Sequence, residues 1–342
     1  MMLVNQVYRR QRLVKVLILI TLALLLLVSF LWDLASGPSR YGLTEVVSCI
    51  VDCQDKKLDL ILWQIRMPVA LMAVLIGAML ACAGSQMQTI LNNPLADPFT
   101  LGISAAAAFG AALAFVLDWG LLPVAGLYLV SVNAFFFAML SALILFAISR
   151  MRGMGYQTLV LAGIALMFTF NALLAFLQYI ASEDALQQLI FWTLGSLGRA
   201  SYEKVLICAV VLSVTVAILW RYRDQLTALR FGDQQAISMG VNVNRLRLMT
   251  LLLCALLASV AVAFVGTIGF IGLVAPHIAR LLLGEDQRFF LIGSMLTGAI
   301  LLSLASVFSK LVITGVLLPV GITTSLTGIP CFFILIFSIR QK

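Results

Sequence analysis

The sequence predicts an all-α polytopic membrane protein of about ten transmembrane helices, with both termini cytoplasmic. Three observations predict it. Hydrophobic residues make up 63% of the 342, charged residues 11%, and mean hydropathy is +1.11. A soluble domain cannot cover so much apolar surface with so few charges. Apolar runs of 17 residues or more recur along the chain, without the sustained alternation of transmembrane barrel strands. The basic residues, finally, are shared unequally between alternate loops.

In chain order the expected spans are 16–32, 62–91, 99–117, 122–148, 157–180, 203–220, 247–265, 268–283, 289–309 and 318–339. The first follows a basic tail, 1–15, carrying Arg9, Arg10, Arg12 and Lys15. Its core exceeds a usual signal-peptide h-region and no A-x-A site follows, so it reads as a retained helix. The second span is long enough to tilt or project beyond the bilayer. The eighth is short and rich in Gly and Pro, and need not cross as a regular helix. Between the fifth and sixth, Ala185 to Gly198 ("ALQQLIFWTLGSLG") reads as a short amphipathic helix in the interface, with Trp192 at headgroup level.

With the N-terminus inside, the inner set holds 15 basic residues: Arg9, Arg10, Arg12, Lys15, Arg150, Arg152, Arg221, Arg223, Arg230, Arg245, Arg247, Arg280, Arg288, Arg340 and Lys342. The outer set holds seven: Arg40, Lys56, Lys57, Arg66, Arg199, Lys204 and Lys310. Positive-inside bias therefore puts both termini in the cytoplasm. The net charge of +8 is a matter of orientation, and nucleic acid is not an expected partner. The whole of 1–342 reads as one transmembrane domain with two long polar segments. One, 33–60, lies outside. The other, 221–247, lies inside, and its apolar spacing and its breaks at Gly232 and Gly240 predict two short helices.

Chemistry is sparse. Cys82, Cys208, Cys254 and Cys331 fall in apolar runs and read as packing residues. Cys49 and Cys53 share the outer segment. They could pair in an oxidising compartment, but the sequence alone favours them unpaired. A single histidine, His277, and no Cys-x-x-Cys leave no expectation of a metal site. No Gly-Lys-Ser/Thr exists for a phosphate-binding loop, no nucleophile–base set is visible, and no acid stands mid-span. The chain reads as a pathway, not an enzyme. An ion-coupled secondary carrier and a membrane scaffold are the competing classes.

Six motifs in order sharpen this: "IRMP" (Ile65 to Pro68), "GAMLACAGSQMQTILNNPLADPFTLGIS" (Gly77 to Ser104), "LAGIAL" (Leu161 to Leu166), "FWTLGSL" (Phe191 to Leu197), "GTIGFIGLVAPHIARLLLGEDQR" (Gly266 to Arg288) and "LPVGITTSLTGIPCFF" (Leu318 to Phe333). From about residue 60 onward the chain resembles the FecCD family, the membrane subunits of type II ABC importers for iron–siderophores, haem and cobalamin. The resemblance implies the type II importer permease fold, with ten helices per subunit. It also implies a second permease subunit, identical or related, around a central path. Two cytoplasmic ATPase subunits would use ATP and Mg, and a periplasmic binding protein would dock from outside. This chain would bind no cofactor and would sit among the lipids of a bacterial inner membrane. An iron–siderophore complex is the expected cargo, with haem or cobalamin as alternatives.

Residue roles follow from the same resemblance. "DQQAISMGV" matches the coupling helices that enter an ATPase cleft. Arg230, Asp233, Gln234, Ala236, Met239 and Gly240 are its candidates, with Ala236 and Gly240 permitting close approach and Arg230 and Asp233 fixing register. Arg66 and Lys310 match positions that meet acids of the binding protein, although Val69 stands where a second Arg often follows. Tyr156, Gln157, Asn171 and Gln178 are path candidates; a water-lined cavity and helix–helix hydrogen bonding remain equal readings of them. Asn93, Pro94, Pro276, His277, Pro319 and Gly321 are motif positions with structural roles, His277 anchoring the bend at Pro276. The chain departs from the pattern at Ala105 to Ala108, at Ser306 (an Asp in the family) and at Leu317 (a Glu).

Overall fold

A computed structural model describes residues 2–37, 39, 41–53, 55–120, 128–150, 156–313 and 316–339. Arg40, Arg152, Arg340 and Lys342, used above for orientation, lie outside these residues, as does the side chain of Tyr156. Every described element is helical. In order they are α1 (Met2–Ala35), α2 (Leu43–Val51), α3 (Lys56–Leu60), α4 (Met67–Ile90), α5 (Ile103–Leu117), α6 (Leu129–Ser149), α7 (Tyr156–Ile180) and α8 (Glu183–Thr193). Then follow α9 (Tyr202–Arg221), α10 (Arg223–Ala228), α11 (Asp233–Ser238), α12 (Val243–Val265), α13 (Ile271–Leu283), α14 (Gln287–Leu311) and α15 (Val320–Ile339). Among the described residues, seven helical stretches are long and apolar enough to cross a membrane, α3 and α4 running together as Lys56–Ile90 through a π-helical stretch, Ile61–Arg66. Helices α5 and α13 are shorter and apolar, as expected of the eighth span.

Helix α4 is the centre. Twenty of its 24 residues are buried, and α14, α12, α13 and α9 pack around it. The sequence "GAMLACAG" makes this possible, because small residues let backbones approach in a medium where apolar surface alone drives no association. A Cβ added at Gly77 would collide with the carbonyl of Gly298 on α14, and one at Gly84 with the carbonyl of Gly272 on α13. Outside this axis, α5, α6 and α7 pack together, and α1 lies on α14 with most of its surface free.

Three expectations need correction. The basic tail 1–15 is no separate segment, since α1 is helical from Met2 and, at ~1.5 Å per residue, about 50 Å long. The hydrocarbon core needs only ~30 Å, so the surplus carries Arg9, Arg10 and Arg12 into water. The outer segment 33–60 holds two small helices and a disulfide, Cys49–Cys53, where unpaired thiols were expected. Their i, i+4 spacing spans the end of α2, with Cα atoms 3.9 Å apart. Lastly, α8 forms where an interfacial helix was expected, but Trp192 is buried against the core of its own chain. Its carbonyl abuts Gly266, which pins the end of α8 against the end of α12.

Replacing Gly84 by Val is expected to lower stability by about 1–3 kcal/mol or more, read as thermal unfolding in detergent. Gly269→Ala, whose Cβ meets nothing within 4 Å, should stay within about 0.5 kcal/mol of the parent.

Candidate functional site

The inner face is built from the turn between α9 and α12. Helix α10 and a 3-10 turn (Leu229–Phe231) lead to Gly232, whose φ of 100° starts α11; Gly240 at φ 82° ends it. Two short helices were expected and two are present. Ala236 is fully buried beneath them. It faces its own chain, not a partner, which corrects the close-approach role. Gly240 has open space around its Cα, so its glycine serves the left-handed turn and not close packing within this chain. Gln234 and Met239 are exposed, and with Phe231 and Ile237 at 61% and 59% exposure, Met239 at 62% forms an apolar surface on a water-facing turn.

Beneath that surface lies a charged and amide network. Arg230 pairs with Glu285, which also pairs with Arg280 at 3.1 Å. Arg280 donates to Gln88 Oε1 of α4 at 2.8 Å. Asp233 accepts from Arg247 at 2.9 Å, and the same guanidinium donates to the carbonyl of Ile90, at the end of α4. Arg230 and Asp233 are thus each held by ion pairs within this chain, with partners the sequence did not name. Burial pulls the Arg230 guanidinium below its usual pKa, and hydrogen bonding from Arg288 holds the Asp224 carboxyl below the usual carboxylate range. Deeper still, Gln86 donates to Gln287 at 2.9 Å and Gln287 donates to Thr89 at 3.0 Å, all three buried. Thr227 of α10 accepts from the Gln287 backbone. Sequence reasoning missed Gln86, Gln88, Arg247, Arg280, Glu285 and Gln287. The available signal was that amides within a span require partners.

The outer face is different from expectation. Arg66 and Lys310 do line one outer cavity of ≈ 330 Å³, together with Ser36, Ser196, Ser306 and Ser309. Neither is a free cation. Arg66, 5% exposed, donates to the carbonyls of Leu34 (2.8 Å), Ala35 (3.2 Å) and Ser39 (2.7 Å), which ties α1 to α4. Lys310 is paired at 2.7 Å with Asp33, a fully buried carboxylate that also accepts from Ser306.

The remaining candidates are placed as follows. Gln157 and Asn171 are exposed on α7, and Gln178 is half-buried. Asn93 accepts from the amide of Leu95 and so shapes the turn containing the exposed Pro94. Pro276 lies inside α13 and is buried; His277 beside it is half-buried and, among the described residues, makes no hydrogen bond. Pro319 precedes α15 and its carbonyl accepts from Ile322. Gly321 donates to the carbonyl of Leu194 and leaves no room for a Cβ against it. The "FWTLGSL", "GTI" and "LPVG" motifs meet at this outer junction, backbone to backbone.

A polytopic helical chain with a short helical turn braced beneath its spans has the architecture of an importer permease, and the comparisons agree. The FecCD transport family model matches residues 25–338. The hemin transport system permease protein HmuU of Yersinia pestis is 40% identical over 278 residues, 81% of this chain and 83% of its own. The Fe(3+)-citrate import system permease protein YfmE of Bacillus subtilis is 35% identical over 95% of this chain and 96% of its own. A solved structure described as an inward-facing conformation of a metal-chelate type ABC transporter superposes with TM-score 0.83 at 30% identity, covering 94% of this chain and 99% of that one. The chain belongs to the FecCD family: it is a multi-pass permease of a type II ABC importer.

Gln287→Leu strands Gln86 and Thr89 in the core, and unfolding free energy should fall by about 1–3 kcal/mol. In a double-mutant cycle, Gln86→Leu with Gln287→Leu should cost less than the sum of the two singles; additive effects would show that the amides do not act as a pair.

Proposed function

We propose that this chain, in a bacterial inner membrane and with a second permease subunit, forms the path for an iron chelate. A periplasmic binding protein delivers the cargo and separate ATPase subunits supply the energy. One observation carries the reading: the exposed apolar surface of Phe231, Ile237 and Met239, set on a braced turn that faces water. Such a patch is a docking surface, and the ion pairs behind it turn pressure on α11 into movement of α4, α12 and α13. The ATPase cleft is the occupant the family provides. Gln234 lies on the same exposed side.

The path reading rests on α7. Its span is only 17% buried, with Leu161, Phe168 and Phe176 each more than 60% exposed beside Asn171. A face this open suits a second subunit with a cargo-wide space between, and weak contacts let a bulky chelate leave. At the outer mouth, the Arg66–Lys310 cavity is offered to an acidic side chain of the binding protein. Haem is the second reading for the cargo, favoured by the likeness to a hemin permease.

The test is reconstitution in liposomes with the ATPase and binding protein, following uptake of a ferric siderophore and competition by hemin. Uptake should require ATP. Ile237→Asp with Met239→Asp should reduce it at least tenfold while the protein still inserts. Uptake driven by an ion gradient without ATP would overturn the reading.

A further inference from the structure

A second cavity, of ≈ 1060 Å³, adjoins the Arg66–Lys310 cavity at Gly198 and is lined by the ends of α5, α6, α8 and α9. Its walls are aromatic, with Phe115, Phe191, Trp192 and Phe264, and Tyr128 and Tyr202 stand at the rim. Two cations border it. Lys204 donates to the backbone carbonyl of Arg199 at 2.8 Å and reaches over the Phe264 ring, which holds the two residues side by side. Among the described residues neither forms an ion pair; the neighbouring acid, Glu203, instead accepts a hydrogen bond from the Tyr128 hydroxyl at 2.8 Å. Burial pulls the Arg199 guanidinium below its usual pKa, as expected of a cation lacking a countercharge.

Helices α6 and α9 both pack on α12 without forming a packed interface with each other, which leaves a groove along α12. On α9 the residues Leu206, Val210 and Val214, four apart and each more than half exposed, make an apolar stripe beginning one turn below Tyr202. Cations and aromatic hydroxyls beside an exposed apolar helix face match an amphiphile with an anionic head.

We propose that this is a specific outer-leaflet phospholipid site, with the phosphate held between Arg199 and Lys204 and an acyl chain lying between α6 and α9. The lipid would fill the gap over α12 and wedge the outer end of α8 in place. The proposal needs only that the helices span a membrane, and it stands whatever the cargo is.

The test uses the full chain purified in mild detergent. Native mass spectrometry should find about one phospholipid per chain that survives delipidation. Arg199→Gln with Lys204→Gln should lower that retention at least tenfold, and Lys204→Arg should keep it. Added phosphatidylglycerol should raise the thermal midpoint of the parent and leave the double variant unmoved. Inorganic phosphate alone should do neither. Equal retention in parent and variant would overturn the site. A full stabilising effect from inorganic phosphate would reassign it to a free anion. Unchanged lipid retention with weakened binding-protein affinity would make it a docking surface instead.

Discussion

The structure depends on the backbone contacts of α4. Gly77 against Gly298 and Gly84 against Gly272 bring three helices together with no side chain between them. In a bilayer, lipid tails compete evenly with leucine for apolar surface, so close dispersion contact and polar bonds must supply the adhesion. Both contacts lie on α4, two helical turns apart, and they fix α14 and α13 against it together. Every other span is placed relative to that trio: α12 and α9 on its remaining sides, α1 on α14, and α5 to α7 beyond α12. Bulk at either contact therefore disturbs several interfaces.

The same helix ends in the network that serves the inner face. Gln86, Gln88 and Thr89 occupy its last two turns, and the carbonyl of Ile90 receives Arg247. Placing amides here carries a cost if any partner is missing, because water is not available to replace it. The gain is a rigid connection. From Ile237 and Met239 at the surface, contact passes through buried Ala236, Asp233 and Arg247 to α12 and α4. A second route passes through Arg230, Glu285 and Arg280 to α13. A turn joined to three spans by charge-assisted bonds moves with them, which a solvated connector would not do.

The apolar runs were readable because a span must be about twenty residues of one character, and the inner helices because Gly232 and Gly240 punctuate them. The charge-pair partners were not. Arg280 meets Gln88 across 192 residues and Gln86 meets Gln287 across 201, and no local pattern in one helix names its neighbour. Trp192 misled for a related reason. Its flanking sequence has the amphipathic character of an interfacial helix, yet the residue's fate is set by Gly266 lying against its carbonyl. Arg66 was singled out as a docking position; its hydrogen bonds to Leu34, Ala35 and Ser39 were not legible without knowing that α1 ends beside it.

The outer mouth shows how a departure from the family pattern is compensated. Ser306 stands where the resemblance leads one to expect an Asp, and that substitution would leave Lys310 without a nearby acid. A buried, uncompensated ammonium would carry a large penalty. Asp33 supplies the missing charge from another helix, accepting from Ser306 and pairing with Lys310 at the same place. Because Asp33 comes from α1, the pair joins the first helix to α14, and Arg66 adds a second tie, from the neighbouring carbonyls of Leu34 and Ala35 to the start of α4. Lys310 is neutralised in this arrangement. Arg66 donates to neutral carbonyls and a hydroxyl, lies over the Tyr41 ring and feels the charge of Asp33, so it too is held within this chain. The local charge of the mouth is thereby set in part by α1, the least buried of the candidate spans found among the described residues.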